Sequence, residues 1–235
     1  MPMNEYTTIT YWDKVWDQNL QSFIEEEINP QILKILRSVL FKGSKALEIG
    51  CVPAGRLYFL QKHFQTETYG LDYSLKGLFK SIKYKNHLVC SDLYYPPFKE
   101  ESFDLVYSLG VIEHFDVPSK VIGKHLDLVR KDGFILITVP NYFPLSMTSM
   151  LYRIARKYKA VKQTHNMKIM DVKNFNKLFE TLPVEPLISD YYGPSVIPAR
   201  PSIRRTWARI NNFIYRGETK SKFFSPELVF IGKKI

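Results

Sequence analysis

From Lys45 to Val139 the chain repeats one pattern: a short apolar run closes on a glycine, a serine or a carboxylate, and stretches of helical spacing lie between the runs. Lys45–Gly50 (KALEIG) reads as a buried strand ending in glycine, and Arg56–Phe64 as a helix. Thr68–Asp72 (TYGLD) is a second strand, and Ser74–Tyr84 a helix whose N-terminal N–H groups the Ser74 hydroxyl can accept. His87–Ser91 and Phe103–Ser108 are a third and a fourth strand. Val117–Arg130 sets Val121, Ile122, Leu126 and Val129 on one helical face, and Gly133–Val139 (GFILITV) is apolar enough to lie buried between layers. This alternation predicts an α/β fold, a doubly wound, mainly parallel sheet with helices on both faces. Right-handed crossovers then gather the carboxyl ends of the strands on one edge, where such sheets bind their ligands.

The flanks read differently. Asn29–Leu40 has Pro30 near its start and apolar Ile32, Ile35, Leu36 and Val39, which predicts an N-terminal helix. After Val139, Leu145–Lys159 is a basic amphipathic helix, Asp171–Leu182 a further helix opened by Asp171, and Ser202–Arg216 a second basic amphipathic helix. Val184–Tyr191 and Glu227–Gly232 add two strands. The expected organisation is a single domain over residues 1–235. Residues 1–40 form a helical cap, residues 41–141 the ligand-binding core, and residues 142–182 and 194–222 basic helical insertions.

Charge follows the same division. Residues 1–119 hold 12 basic and 15 acidic groups, whereas residues 120–235 hold 21 basic and 8 acidic. A C-terminal half this basic points to an anionic partner: an acidic membrane surface, an acidic substrate or nucleic acid. A solubilising surface is the plainer reading. Two cysteines, Cys51 and Cys90, supply neither a disulfide framework nor a four-ligand zinc site, and they predict a reducing, cytoplasmic setting. Met1–Asp17 carries Glu5, Asp13 and Asp17 and does not read as a signal peptide. No 18-residue apolar run predicts a spanning helix.

Chemistry concentrates at the strand ends. Ala46–Gly55 (ALEIGCVPAG) is a strand, a tight loop of small residues and a helix start, which lets a ligand approach unpaired backbone N–H groups closely. Asp72 closes the second strand 22 residues after Gly50, where a carboxylate can accept both hydroxyls of a ribose. Asp92 closes the third, placed to accept from an exocyclic amine. Ser102–Ser108 then runs into Leu109-Gly110-Val111-Ile112-Glu113-His114.

In this order and spacing the sequence resembles the class I S-adenosylmethionine-dependent methyltransferases, the type-11/type-23 group. Glu48 and Gly50 match the first two fixed positions of that family's E/D-x-G-x-G-x-G motif. Val52 and Ala54 replace its later glycines, and Gly55 follows. Asp72, Asp92-Leu93, Ile112-Glu113-His114 and Val129–Phe134 are similar to its later signatures, and Ser225–Lys234 to its closing strand. The resemblance implies a Rossmann-like seven-stranded sheet in the order 3-2-1-4-5-7-6 with the last strand antiparallel, and S-adenosylmethionine as cofactor. It implies methyl transfer by in-line displacement to a small-molecule or lipid-like acceptor. It sets Gly50, Cys51 and Gly55 along the methionine portion, with Glu48 organising the loop. Asp72 takes the ribose and Tyr73 the adenine face, Asp92 and Leu93 read the adenine edge, and Ser108 and Leu109 lie near the sulfonium. His165 falls in a segment that lies over the acceptor.

Glu113 and His114 are the candidate catalytic pair, His114 as a general base; the resemblance also implies a neighbourhood in which some relatives hold a divalent metal, and the remaining alternative is a loop anchor. Tyr11, Trp12 and Trp16 make an aromatic cluster, either a flap over the donor or a docked terminal helix, with Tyr11 and Trp12 on the acceptor side. No metal-ligand set is assigned. Val52 cannot adopt positive φ cheaply, so either Gly55 serves as the loop's permissive residue or donor affinity falls. Three alternatives stay beside the enzyme of small acceptors: a degenerate methyltransferase fold acting as a binding or scaffolding partner, an RNA methyltransferase, and an NAD-binding Rossmann enzyme. The last lacks G-x-G-x-x-G after strand one.

Overall fold

The computed structural model describes residues 6–23, 30–82, 87–193 and 220–235. Two helices come first, α1 (Ile9–Phe23) and α2 (Pro30–Val39). There follow β1 (Lys45–Ile49), α3 (Gly55–Phe64), β2 (Glu67–Asp72), α4 (Leu75–Ser81), β3 (His87–Cys90) and β4 (Phe103–Leu109). After them run α5 (Pro118–Leu128), β5 (Val129–Pro140), α6 (Met147–Ile154), α7 (Tyr158–Thr164), α8 (Val172–Lys177), β6 (Val184–Tyr192) and β7 (Glu227–Lys234). The strands pair in the order β3-β2-β1-β4-β5-β7-β6. The first five are parallel and β7 is antiparallel to both its neighbours, as the resemblance implies.

Strand alternation divides the core between two faces. Leu105 and Tyr107 of β4 pack with Ile32 and Leu36 of α2 and Leu57 and Leu60 of α3. Val106, between them, packs with Val121, Ile122 and Leu126 of α5. Each such aliphatic side chain contributes about 1.5–3 kcal/mol by burial. The last strand is fastened back by Lys234, whose ammonium donates to the carbonyls of Leu126 and Val129 at 2.9 and 2.8 Å and pairs with Glu101 at 2.9 Å. A cation on the last carbonyls of α5 also complements that helix's dipole. Among the described residues no helix is long and apolar enough to cross a membrane.

Four predicted elements differ. The helix expected over Val117–Arg130 stops at Leu128, because Val129 pairs with Phe103 and turns extended. β5 therefore starts early and absorbs Lys131–Gly133 as a bulge, with Asp132 at φ 61 and a register shift opposite Phe103–Leu105. The basic helix expected over Leu145–Lys159 is broken into α6 and α7. Arg156 sits at φ 56 and the N–H of Lys157 reaches the Tyr152 carbonyl at 2.9 Å, a Schellman ending, with the Arg153 guanidinium over the Tyr158 ring at 4.7 Å. The helix expected over Asp171–Leu182 ends at Lys177. Bonds from Leu178 and Phe179 to carbonyls three residues back tighten the chain and bring Phe179 flat onto Phe230, ring centroids 3.6 Å apart. The helix expected over Ser202–Arg216, and most of the 194–222 insertion, lies outside the described residues.

One glycine inside the sheet supports the loop above it. A Cβ on Gly70 would fall 2.6 Å from Cys51 Sγ, 2.8 Å from Leu57 Cδ1 and 2.9 Å from Leu88 Cδ2. Gly70→Ala is therefore expected to lower stability by about 1–3 kcal/mol through overpacking, read as a shift of the urea midpoint at unchanged slope.

Candidate active site

The carboxyl ends of β1, β2 and β4 open onto a cavity of about 280 Å³. Gly50, Asp72 and Leu109 line it, with Tyr73, Asp92, Leu93, His114 and Phe115. Trp12, Val15 and Trp16 of α1 line it as well. Trp12 and Trp16 are stacked at 5.7 Å, and Trp12 meets the His114 ring edge-on at 4.9 Å. The helix that carries them is held to α4: the Ser74 hydroxyl donates to Asp13 at 2.6 Å, and Lys80 reaches Asp17 at 2.7 Å and the Trp16 carbonyl at 3.2 Å. The aromatic cluster is thus a docked helix whose rings line the cavity. Tyr11, 39% exposed, is not among the lining residues.

The glycine-poor loop has its own solution to the missing glycines. Positive φ falls on Gly50 (φ 72) and on Ala54 (φ 61), while Gly55 is the first helical residue of α3. The expectation that Gly55 is the permissive residue is therefore corrected: Ala54, the smallest chiral side chain, takes that conformation at a cost of about 1–2 kcal/mol. Val52 turns down against α4, where its methyls lie 2.9 and 3.0 Å from the point a Cβ on Gly77 would occupy. A Cβ on Gly50 would lie 2.6 Å from a Val111 methyl, so the cradle beneath the ligand edge needs glycine on space as well as on φ.

Asp72 is buried, and both its oxygens are engaged by the main chain: Oδ2 accepts from Val52 N at 3.0 Å and Oδ1 from Ser74 N at 2.8 Å. Burial pushes its carboxyl up to about 6, against the pull of these N–H donors. Glu48 lies beneath the loop and outside the cavity, accepting from Arg56 Nη1 at 3.0 Å and Tyr107 OH at 3.1 Å, and burial raises it to about 7. Arg56 itself lines the cavity, a position the sequence reading did not assign. The cue was available: a cation in the first turn of a helix is out of place on the dipole unless a carboxylate eight residues earlier holds it. Asp92 Oδ1 accepts from Tyr94 N at 2.9 Å. Cys51 is buried and outside the cavity, with Gly55, Ser108, Glu113 and His165 also off the lining.

Ser108 is fully buried, and its hydroxyl meets His125 Nε2 at 2.9 Å. His125 Nδ1 lies 2.8 Å from the Val121 carbonyl and donates to it, and burial disfavours the charged ring, so Nε2 accepts from the hydroxyl. Ser108 therefore joins β4 to α5 under the site, while Leu109 after it reaches the cavity.

Glu113, His114 and His165 stand together behind the Trp12 side. Thr164 and His165 end α7, and Asn166 clamps this segment to the loop after β4: its N–H donates to the Glu113 carbonyl at 2.6 Å and its amide to the Phe115 and Asp116 carbonyls at 3.3 and 3.4 Å. The sequence reading missed Asn166, since nothing local marks an asparagine that bridges elements some fifty residues apart. His114 Nδ1 donates to the Thr164 carbonyl at 2.6 Å, leaving Nε2 with a lone pair. Burial, then the neighbouring His165, pull its pKa to about 3. Such a ring accepts a hydrogen bond readily and keeps a proton poorly. Glu113 is pushed up to about 8 by burial.

Against known proteins, residues 47–137 match the family model described as a methyltransferase domain. An uncharacterised protein of Methanocaldococcus jannaschii is 27% identical over 187 residues, covering 78% of this chain and 75% of its own. An S-adenosylmethionine-dependent methyltransferase of Thermotoga maritima has the same fold at TM-score 0.69 and 14% identity, over 95% of this chain and 98% of that one. A phosphoethanolamine N-methyltransferase of Haemonchus contortus, solved with phosphomonomethylethanolamine and S-adenosylhomocysteine, matches at TM-score 0.63 and 16% identity, over 96% of this chain and 58% of that one.

The neutral His125 predicts an acid response with a definite sign. Its ordinary value is 6.5 and burial lowers it to about 4. Between these values the unfolded chain binds a proton that the folded chain does not, so this contribution is full above about pH 6.5 and is lost as pH falls toward about 4. Asp72 and Glu48, both raised, act in the opposite direction over part of the same range, so the informative quantity is a difference. His125→Gln should be less stable than the wild type at pH 7.5, by about 1–3 kcal/mol for the lost buried bond. That gap should narrow from pH 6.5 to 4 in parallel denaturation series, and a constant gap would contradict the assignment.

Proposed function

We propose that this chain, a class I S-adenosylmethionine-dependent methyltransferase by its matched domain and its fold, methylates a small-molecule or lipid-like acceptor in the cavity between β1, β4 and α1. The observation that carries the reading is the pairing, at one sheet edge, of a tight Gly50 cradle with carboxylates at the ends of the next two strands. These residues fit the cofactor, which when bound supplies an electrophilic methyl group on a sulfonium. Asp72, already held by two main-chain donors, keeps lone pairs for the ribose hydroxyls, and Asp92 keeps an oxygen for the adenine amine. Gly50 admits the ligand close to the backbone, and Arg56 in the wall offers a counter-charge for a carboxylate. Trp12 and Trp16 exclude water and present aromatic faces to a cation.

On the acceptor side, His114 Nε2 accepts a hydrogen bond from the acceptor's hydroxyl or amine and so aligns it. Alignment is the larger part of an in-line displacement. The deep burial of Glu113, His114 and Tyr142 favours an acceptor that is small, or that inserts only its reacting end. Outside this chamber α6 and α7 expose Arg153, Arg156, Lys157, Lys159 and Lys162 beside Met150 and Ile154, a surface suited to an anionic lipid face. The two free cysteines accord with a cytoplasmic setting.

Calorimetric titration with S-adenosylmethionine and with its demethylated product tests the donor half. Binding is expected for the wild type, and Asp72→Ala should weaken it about 10- to 100-fold, the scale of one or two hydrogen bonds to a charged group. A folded wild-type protein that binds neither ligand would overturn the reading in favour of a scaffold. For the outer face, co-sedimentation with phosphatidylglycerol vesicles should exceed that with phosphatidylcholine and fall in an Arg153→Glu, Lys157→Glu double variant. Equal binding to both lipids would remove the membrane-surface component.

A further inference from the structure

Behind the Trp12 side of the cavity, Glu113, His114 and His165 each offer one ligating atom, and these atoms all lie within 4.8 Å of one another. We propose that these three side chains form a binding site for a divalent transition-metal ion. Three independent features of the geometry support it.

The first is an orphan. Glu113 is 1% exposed, and its Oε2 has no hydrogen-bond partner. Buried polar atoms are almost always satisfied, and a carboxylate oxygen without a partner inside the fold has room to take an ion. The second is the state of the two imidazoles. His114 Nδ1 lies 2.6 Å from the Thr164 carbonyl, and His165 Nδ1 lies 3.1 Å from the Val161 carbonyl and 2.7 Å from the Thr164 hydroxyl. A carbonyl only accepts, so both rings carry their proton on Nδ1 and present a bare Nε2. Backbone carbonyls that fix the tautomer and aim the ring in this way are the usual outer partners of metal-bound histidine. The third is rigidity. Asn166 clamps the backbone of His165's segment to that of Glu113 through its N–H and its amide, so ligands from two distant stretches are held in one place by main-chain bonds.

Two neutral imidazole nitrogens and one carboxylate oxygen suit zinc, iron, manganese, cobalt or nickel better than calcium or magnesium. Bonds of about 2.0–2.2 Å require the three atoms to draw together by about 1 Å, which side-chain torsions allow. Three protein ligands leave further positions open. His114 is in the cavity wall, so an open position faces the acceptor side. There the ion would take an oxygen of the acceptor and ease loss of its proton, replacing the direct hydrogen bond to His114 Nε2, whose lone pair the ion would occupy. This last role rests on the methyltransferase reading; the metal site itself does not.

The test uses the whole chain, stripped with chelator and dialysed. Zn²⁺ uptake is measured by elemental analysis, and Co²⁺ uptake by its visible bands. One equivalent per chain is expected, with a rise in the thermal midpoint. Glu113→Gln and His165→Ala should each lower Zn²⁺ affinity by about tenfold or more, since even outer partners of a metal ligand act on that scale. Circular dichroism checks the folding of both variants. X-ray absorption on the Zn²⁺-loaded wild type, which needs no variant, should find two imidazoles and no sulfur. No uptake by the folded wild type, uptake unchanged in both variants, or a different imidazole count would each overturn the site. S-adenosylmethionine titration runs in parallel. Both variants should retain donor binding, and a wild type that takes metal but no donor would sink the methyltransferase reading while leaving the metal site standing.

Discussion

Asp72 ends β2 with a carboxylate that is buried and yet bonded on both oxygens by main-chain N–H groups, one from the loop after β1 and one from the cap of α4. A buried carboxylate without such donors would be costly, and with them it becomes a joint. Through Val52 it fixes the height of the loop that faces the cavity. Through Ser74 it fixes the start of α4, and Ser74 in turn donates to Asp13 of α1. The donor floor, the loop and the helix bearing Trp12 and Trp16 therefore share one anchor. Removing that carboxylate loosens the floor and the roof of the cavity together.

The same joint explains how the loop does without glycine at positions 52 and 54. The Asp72 carboxylate accepts the Val52 N–H, and the valine methyls pack onto α4 at Gly77 while the residue stays in the cavity wall. Left-handed backbone is then needed one residue before the helix. Ala54 supplies it, since it has a Cβ but nothing beyond to clash. Gly77 makes room for the Val52 side chain, since a Cβ there would meet its methyls at 2.9 and 3.0 Å. Bulk in the loop and small size on α4 fit together.

The donor half was legible because its rules are local. A strand ending in Gly50, a strand ending in Asp72 and a cap at Ser74 are each read within a few residues, and the sheet order follows from alternation and handedness. The ground behind the strand-end edge resisted because it is assembled across the chain. Nothing near Asn166 reveals that its amide grips carbonyls fifty residues earlier, and nothing near Ser108 reveals that His125 takes its hydroxyl. Errors in element ends share this origin. Val129 leaves its helix to pair with Phe103, and Phe179 leaves its own to stack on Phe230. In each case a tertiary contact outweighed a helical pattern that the local sequence carries in full.

The two halves also differ in how polar groups are settled. At the strand-end edge the buried carboxylates Asp72 and Glu48 have their partners inside the fold: Asp72 on main-chain donors, Glu48 on Arg56 and Tyr107. That edge is settled by the fold itself. Behind Trp12 the settlement is partial. His114 and His165 are satisfied on Nδ1, while a Glu113 oxygen is bare. An unmet buried group costs about 1–3 kcal/mol, and here it stands beside two imidazoles rather than beside a donor. The contrast sets the chamber bounded by Glu113, His114 and His165 apart from the strand-end edge.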